Sequence, residues 1–310
     1  MAHCSTSALE IGAATRPSLL ATLRLVGPDL WTLTKPEVNF LIIITTLSGF
    51  YLGLPRGLHP FPFMRLLNTL LGTLLVASGT GALNQYLEYR FDARMRRTRT
   101  RPVASGRLRP ASARWFGISL GLTGAVYLLL TVNALASALT VFTLVTYLFV
   151  YTPLKRRTPL CTLAGAVPGA MPPLIGWAGA SGTIVSGDAW ILYALLFFWQ
   201  FPHFMAIAWM YREDYAGAGY CVLPTRTKHM FVAWQTLGPS LALFLCSFAA
   251  VAANNGRGLH YVAAALLASG VLYYAFRQVG LQSGSAARQL LRATIFYLPL
   301  EFLILVLARP

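Results

Sequence analysis

A row of oxygen-bearing side chains in the first third of the chain has the spacing of one helix face. Asn84, Glu88 and Asp92 follow one another at intervals of four residues, which would place them in line along a helix. Mg²⁺ prefers carboxylate and amide oxygens of this kind and leaves its other positions to water and phosphate, and Mn²⁺ shares the preference. The sequence therefore predicts that these three side chains are metal ligands.

A cluster of arginines follows this row directly. Guanidinium groups bind phosphate through paired, charge-assisted hydrogen bonds, so an acidic row beside such a cluster predicts a metal-bridged diphosphate site. The alternative is that the arginines only mark one side of a membrane and pair with Glu88 and Asp92. The cluster consists of Arg94, Arg96, Arg97, Arg99 and Arg101.

A second acidic cluster lies at the end of a later apolar stretch. Arg212, Glu213, Asp214 and Tyr215 are consecutive, and His203 precedes them inside the apolar stretch. Neighbouring helical residues point about 100° apart, so Glu213 and Asp214 cannot face one ion equally. Asp214 is the preferred second metal ligand, with Glu213 in reserve. For His203, a hydrogen bond inside a helix bundle and a binding role both stay open.

A third basic group, Lys155, Arg156 and Arg157, lies between two further apolar stretches. These residues would add positive charge around a diphosphate, or they would only mark one side of a membrane. The Gly- and Pro-rich segment 165–176 that follows permits close helix packing or a helix break beside a cavity. It indicates where a cavity would lie without identifying any chemistry.

The elements that carry these groups are predicted to be membrane helices. Of the 310 residues, 56% are hydrophobic and 11% are charged, whereas an ordinary soluble domain has roughly 25% charged residues. Several stretches approach the ~20 apolar residues that a helix needs to cross a bilayer. We predict an all-α multi-pass bundle of about nine transmembrane helices, with an N-terminal tail at 1–33 and a membrane domain at 34–310. The stretches are 38–54, 64–86, 114–132, 135–152, 160–180, 189–211, 231–253, 259–276 and 291–308.

The placement of the positive charge predicts the topology. The chain has 25 Lys and Arg residues and a net charge of +16; with the N-terminus inside, all except Arg56, Arg65, Arg257 and Arg309 fall on the inner side. The positive-inside rule then puts the N-terminus and both acidic clusters at the cytoplasmic face. Because topology explains the charge, no nucleic-acid partner is predicted. Acids at a lipid boundary are costly unless they serve a function, which favours the diphosphate site.

These motifs resemble the UbiA prenyltransferase superfamily and, within it, the subfamily that farnesylates haem. The similarity extends from about Thr34 to Pro224, while the last three predicted helices match only as apolar helices and carry no shared motif. Glu88 stands where many members carry Asp, and the second motif usually has several spaced Asp where this chain has Glu213 and Asp214. The first Asp-rich motif is matched by Asn84, Glu88, Asp92, Met95, Arg97, Thr98, Arg101 and Pro102. Further matches are Thr34, Lys35, Pro36, Lys155, Arg156, Thr158, the segment 202–204 and the segment 213–215.

The resemblance implies a central cavity with Mg²⁺, or Mn²⁺ as the alternative, and diphosphate near the cytoplasmic face. It implies farnesyl diphosphate and haem B as substrates, haem B not being a cofactor, and haem O as product. The implied catalytic residues are Asn84, Glu88, Asp92, Arg97, Arg101 and Lys155. The implied substrate-binding residues are Arg96, Lys155, Arg156, His203, Arg212 and Tyr215. The implied metal ligands are Asn84, Glu88, Asp92, Glu213 and Asp214.

The expected location is the bacterial inner membrane, with membrane lipid around the bundle and a haem A synthase acting downstream. A mitochondrial inner membrane is disfavoured, because the first 30 residues carry Glu10 and Asp29 and only two basic residues. Two alternatives are a related prenyltransferase acting on a quinone precursor or chlorophyllide, and a transporter. Acids clustered at one end, instead of along a path across the bilayer, argue against transport.

Overall fold

The computed structural model describes residues 19–222 and 229–309, and every regular element in those ranges is helical. The described elements follow the chain in this order. They are α1 (Leu19–Leu33), α2 (Pro36–Gly53), α3 (Phe63–Asp92), α4 (Pro110–Thr131), α5 (Ala134–Val145), a π-helical segment (Thr146–Tyr151), α6 (Thr152–Leu154), α7 (Cys161–Gly169), α8 (Met171–Ser181), α9 (Gly187–Met210), α10 (Arg212–Ala218), α11 (His229–Ala253), α12 (Gly258–Leu281) and α13 (Gly284–Ala308).

Eight helical runs in the described part of the chain are long and apolar enough to cross a membrane. They are α2, α3, α4, the continuous run from α5 to α6, α9, α11, α12 and α13. The predicted fifth span, 160–180, consists instead of the two short helices α7 and α8, which meet at Ala170. Pro172 and Pro173 lack an N–H and begin the second helix, so the break follows from the sequence. The predicted multi-pass helical bundle is thereby confirmed.

Small residues let the helices of the first half approach closely. A Cβ on Gly49 of α2 would overlap the backbone of Pro173 in α8, and a Cβ on Gly176 would overlap the backbone at Thr46. The same holds for α3 and α4, where a Cβ on Gly79 would lie 2.6 Å from the backbone nitrogen of Gly121. Close contact through small residues is typical of membrane helices, in which dispersion between packed backbones replaces the hydrophobic effect.

The second half packs α9, α11, α12 and α13 around an apolar core. Large side chains such as Leu243, Leu298 and Phe302 are buried there. Two hydrogen bonds cross this core, from the Trp199 indole to the Thr294 carbonyl (2.7 Å) and between the hydroxyls of Ser247 and Tyr297 (2.6 Å). Buried polar groups need such partners, so these two hydrogen bonds tie α13 to α9 and to α11.

Part of the predicted N-terminal tail 1–33 forms a helix. Residues 1–18 lie outside the described residues, whereas α1 occupies the rest of that range. Val26, Leu30 and Leu33 of α1 pack beside Val103 and Leu108 of the loop after α3. The helix therefore packs against the arginine-rich loop, and an ion pair of 3.0 Å between Asp29 and Arg107 adds to this contact.

Candidate active site

The acidic row lies on one face of the last two turns of α3 and points into the protein. Asn84 is 1% exposed, Glu88 5% and Asp92 1%. The Asn84 amide donates to a Glu88 carboxylate oxygen at 2.8 Å, so neighbouring members of the row are in contact. The helix spacing predicted from the sequence is therefore present, and α3 continues six residues past the predicted span to carry Asp92. Burying carboxylates is costly, so cationic partners are expected.

The first cation is Lys35, from the short link between α1 and α2. Its ammonium donates to Asn84 Oδ1 at 2.7 Å. Lys35 has φ 54°, in the left-handed region that a residue with a Cβ rarely adopts, and Pro36 follows at the start of α2. Burial lowers the pKa of Lys35 to about 7, and the nearby positive charges of Arg101 and Lys155 add to this shift. A bound anion would therefore stabilise the protonated form of Lys35.

The second cation is Lys155, which follows the last residue of α6. Its ammonium donates to both carboxylate oxygens of Glu88 at 3.0 Å and lies 4.5 Å from the centroid of the Tyr151 ring. Burial disfavours the charged amine, but the Glu88 carboxylate more than compensates and holds the pKa of Lys155 well above its usual range. Glu88 and Lys155 therefore form a buried ion pair.

The third cation is Arg101, from the loop that folds back over the end of α3. Its guanidinium donates to Asp92 Oδ2 at 2.7 Å, and the Thr98 hydroxyl donates to the Asp92 carbonyl at 2.9 Å. Three basic side chains from separate segments thus surround two carboxylates, and the cluster has an excess of one positive charge when Lys35 is protonated. Such a cluster attracts a polyanion such as diphosphate.

The donor set of the row suits a magnesium ion. In the described ranges, no three side chains among His, Cys, Asp and Glu gather around one point. Asn84, Glu88 and Asp92 supply only two carboxylates and an amide, which are hard oxygen donors. Mg²⁺ is commonly held in this way, by one or two carboxylates together with water and substrate phosphates. The residues present fit such an ion, which Asn84, Glu88 and Asp92 would hold.

The second acidic cluster contacts the arginine loop and not the acidic row. Asp214 of α10 accepts from Arg96 Nε at 3.0 Å and from the backbone N–H of Arg97 at 3.4 Å. The hydrogen bond from Arg96 lowers the pKa of Asp214. Glu213 is exposed and lies 3.9 Å from Arg96 and 3.7 Å from Arg212. Metal binding by Asp214 and Glu213 stays a prediction; their contacts tie α10 to the arginine loop.

Two tyrosines also take part in the contact between α10 and the arginine loop. Arg97 Nη2 donates to the Tyr215 hydroxyl at 3.4 Å, and the Arg97 guanidinium lies 5.2 Å from the centroid of the Tyr211 ring. A pocket of about 400 Å³ opens between the two segments, and Arg96, Arg97, Arg212 and Glu213 are among the residues that line it. Arg96, Arg212 and Tyr215, which the resemblance implies to bind substrate, therefore lie together at one end of the bundle. Arg97, which it implies to be catalytic, lies with them.

Tyr220 belongs to this region, although no sequence motif marks it. Its ring is buried against Phe91 and Tyr215, with centroids 5.7 and 5.8 Å away, and it shares an apolar cluster with Met95. Burial and the negative charge of Glu88 raise the pKa of Tyr220. Tyr220 therefore joins the two acidic clusters, and only an aromatic residue in a Gly-rich loop could have indicated it.

Two other predicted binding residues lie apart from the acidic row. Arg156 is exposed, and its guanidinium lies 4.8 Å from the centroid of the Phe91 ring. His203 belongs to α9 and faces α13: its Nδ1 is 3.0 Å from the Thr294 hydroxyl, and its ring stacks on Trp199 with centroids 4.6 Å apart. A structural hydrogen bond and a binding role both stay open for His203, because Nδ1 contacts Thr294 while Nε2 is left for another partner.

The chain is similar to known proteins over nearly its whole length. The model of the UbiA prenyltransferase family matches residues 42–299. A protein of Solibacter usitatus named protoheme IX farnesyltransferase is 43% identical over 289 residues, which cover 91% of this chain and 99% of that protein. A protein of Koribacter versatilis with the same name is 39% identical over 312 residues, covering 96% and 97%.

Solved structures share the fold at low sequence identity. A UbiA homologue from Aeropyrum pernix K1 superposes with a TM-score of 0.68 at 18% identity, covering 87% of this chain and 98% of that one. A homologue from Archaeoglobus fulgidus bound to GPP and Mg²⁺ superposes with a TM-score of 0.57 at 14% identity, covering 91% and 98%. At these identities the likeness concerns the fold alone.

Proposed function

The chain belongs to the UbiA prenyltransferase family, and we propose that it is a protohaem IX farnesyltransferase. The reaction joins the farnesyl group of farnesyl diphosphate to a vinyl group of haem B, adds water and yields haem O. The observation that carries this proposal is the convergence of Lys35, Lys155 and Arg101 on the buried row Asn84–Glu88–Asp92. The relatives named for this reaction, which match nearly the whole chain, support the choice of substrates.

The protein's main contribution is to stabilise the departing diphosphate. The bond from the first farnesyl carbon to oxygen breaks heterolytically, leaving an allylic cation and negative charge on diphosphate. Lys35, Lys155 and Arg101 are held in place before substrate binds, so little reorganisation accompanies that charge development. Arg97, which lies against Tyr211 and Tyr215 in the same loop as Arg101, would add a fourth cation on the diphosphate. A Mg²⁺ ion held by Asn84, Glu88 and Asp92 would supply Lewis-acid stabilisation of the diphosphate oxygens.

The remaining steps use the electrons of the acceptor and require no protein nucleophile. The haem vinyl group attacks the allylic cation with its terminal carbon, which forms the new carbon–carbon bond and moves the positive charge to the carbon beside the ring. Water adds there and loses a proton, which leaves a hydroxyethylfarnesyl side chain. The products are haem O and inorganic diphosphate, so atoms and charge balance without an oxidant or reductant.

On the acceptor side, His203 is the proposed contact to haem. Histidine is a common haem-iron ligand. Thr294 holds Nδ1 at 3.0 Å, an arrangement that orients the ring and leaves Nε2 for a ligand. Loss of this contact in His203→Phe, which keeps an aromatic ring beside Trp199, should raise KM for haem B and leave KM for farnesyl diphosphate unchanged.

The proposal also covers the location of the enzyme. The chain spans a membrane several times. Its bacterial relatives support a bacterial inner membrane, and the placement of its positive charge favours an orientation with the acidic row at the cytoplasmic side. Haem O released there would be the substrate of a haem A synthase. Cysteine accessibility to a membrane-impermeant reagent, measured at Arg99→Cys and at Arg56→Cys in intact cells, tests this orientation.

The activity is tested by incubating purified protein with haem B, farnesyl diphosphate and Mg²⁺, with and without chelator. Chromatography with mass spectrometry should show a haem heavier by farnesyl plus water, and chelator should abolish it. If chelator leaves turnover unchanged, the metal assignment is wrong while the reaction stands. If folded protein leaves haem B unchanged but prenylates a quinone precursor or chlorophyllide, the haem assignment is wrong while the diphosphate site stands.

A further inference from the structure

A groove lies between the end of α3 and the start of α4, outside the candidate active site. It has a volume of about 760 Å³, within the usual range of ligand pockets. Tyr86 and Arg90 each lie two residues from Glu88, so the helix turns them about 160° away from the acidic row. We call this feature the arginine groove; its lining includes Arg90, Arg94, Arg114, Arg156, Tyr86 and Tyr89.

The arginine groove has four guanidinium groups and no carboxylate among its lining residues. None of the four forms an ion pair with any acidic residue in the described ranges. The start of α4 at Pro110 also lines the groove and adds the positive end of a helix dipole. Uncompensated positive charge gathered in a concave site predicts an anionic ligand.

Aromatic rings hold the guanidinium groups in place. Arg156 lies 4.8 Å from the centroid of the Phe91 ring, Arg90 5.6 Å from that of Tyr89, and Arg114 5.9 Å from that of Tyr86. The Nε of Arg114 is buried and has no hydrogen-bond partner among the described residues. Arg90 Nε also donates to the Tyr89 hydroxyl at 3.0 Å, and the terminal N–H groups of these guanidiniums have the geometry for paired hydrogen bonds to phosphate.

The surface beside the groove is apolar. Leu87 is 40% exposed and Trp115 is 62% exposed, and both belong to helices that cross the membrane. Tryptophan is typical of the boundary between lipid and water, so the groove lies at headgroup depth. A ligand that fills it combines an anionic head with apolar chains, and anionic phospholipids of the cytoplasmic leaflet have this chemistry and bind basic pockets between helices.

We propose that the arginine groove binds the phosphate headgroup of an anionic phospholipid, whose acyl chains run along Leu87 and Trp115. The site is linked to the active site by sequence: Arg156 follows Lys155, and Phe91 precedes Asp92. A bound headgroup therefore holds the two segments that carry the buried charges. This binding goes beyond the proposed reaction, and its measurement requires no turnover.

The test measures lipid retention by the full chain in detergent, using native mass spectrometry and titration with phosphatidylglycerol or phosphatidylcholine. The wild type should retain phosphatidylglycerol in preference to phosphatidylcholine. The triple variant Arg90→Gln/Arg94→Gln/Arg114→Gln should weaken phosphatidylglycerol binding at least about tenfold, because each charge removed weakens attraction to an anionic lipid. The double variant Arg90→Gln/Arg94→Gln changes only exposed side chains and keeps the test valid if the triple variant fails to fold.

The matched control is Arg288→Gln, an exposed arginine at the start of α13, which should leave lipid retention unchanged. Undiminished phosphatidylglycerol binding in the double and triple variants would overturn the proposal. Two further measurements separate other anions from the lipid. Displacement of phosphatidylglycerol from the wild type by equimolar inorganic diphosphate would overturn the lipid assignment. Loss of haem B binding in the triple variant, with phosphatidylglycerol retained, would overturn it as well. A chain that retains phosphatidylglycerol but forms no haem O contradicts only the proposed reaction.

Discussion

The two acidic clusters have similar composition but opposite surroundings. Glu88 and Asp92 are 5% and 1% exposed, whereas the Glu213 side chain is 75% exposed and that of Asp214 10%. The first pair contacts cations from distant parts of the chain, and the second pair contacts Arg96, Arg97 and Arg212 at the surface. Buried charges interact in a lower dielectric than exposed ones. The first cluster therefore interacts more strongly with charge that develops on a substrate than the second cluster does.

The comparison shows that the spacing of acidic residues, more than their number, indicates whether they are buried together. Intervals of four residues keep side chains on one helix face, which can be buried as a unit. Adjacent acids diverge by about 100°, so at most one of them can face the interior. The second cluster accordingly has one half-buried carboxylate, Asp214, which holds α10 against the arginine loop, and one exposed carboxylate, Glu213.

The largest expected effect comes from neutralising the buried acids. Glu88→Gln and Asp92→Asn should each lower the rate of haem O formation by at least about 10³-fold, because the proposed Mg²⁺ ion would lose a carboxylate ligand and its hold on the diphosphate. The matched control, Glu213→Gln, should keep the rate within about threefold of the wild type, since exposed ion pairs contribute little. An equal loss in Glu213→Gln would remove the distinction between the two clusters.

The next effect concerns the buried ion pair. Lys155→Met should lower the rate by about 10²-fold or more and destabilise the protein by about 3–5 kcal/mol, because Glu88 keeps a buried charge without its partner. The double variant Lys155→Met/Glu88→Gln should recover stability and not activity. Thermal unfolding and haem O formation measured in parallel separate the two effects, and recovery of both would show that Lys155 is only structural.

A smaller effect is expected for the contact between α10 and the arginine loop. Asp214→Asn weakens the bond from Arg96, so KM for farnesyl diphosphate should rise by about tenfold with kcat little changed. The measurement is a steady-state titration at several Mg²⁺ concentrations. A loss of kcat together with a higher Mg²⁺ requirement would instead identify Asp214 as a metal ligand.

The smallest effect is expected at Tyr220, which packs between the two clusters. Tyr220→Phe keeps the ring against Phe91 and removes only the hydroxyl, so turnover should change by about threefold or less. Tyr220→Ala removes the packing as well and should lower thermal stability more than activity per folded molecule. If Tyr220→Phe reduces turnover as strongly as Glu88→Gln, the hydroxyl takes part in the reaction.

Sequence patterns predicted most of the fold. Apolar length predicted the membrane helices. The predicted continuous span 160–180 was wrong, because its Gly- and Pro-rich segment, which allowed either close packing or a helix break, forms a break between α7 and α8. Periodicity did not predict α1, because a short helix lying beside a loop lacks the length of a membrane span. The end of α3 was placed too early for a related reason: its last turns are polar, and hydropathy does not distinguish a polar helical turn from a loop.

The sequence by itself determined that the chain is a helical membrane protein and that Asn84, Glu88 and Asp92 form one face, because hydropathy and helical periodicity are local properties. Only the tertiary structure decided which cation meets each acid, since Lys35, Lys155 and Arg101 come from three separate segments. It also turned Arg156 toward Phe91 and Asp214 toward Arg96. Such pairings depend on how helices distant in sequence pack, and no local pattern records that packing.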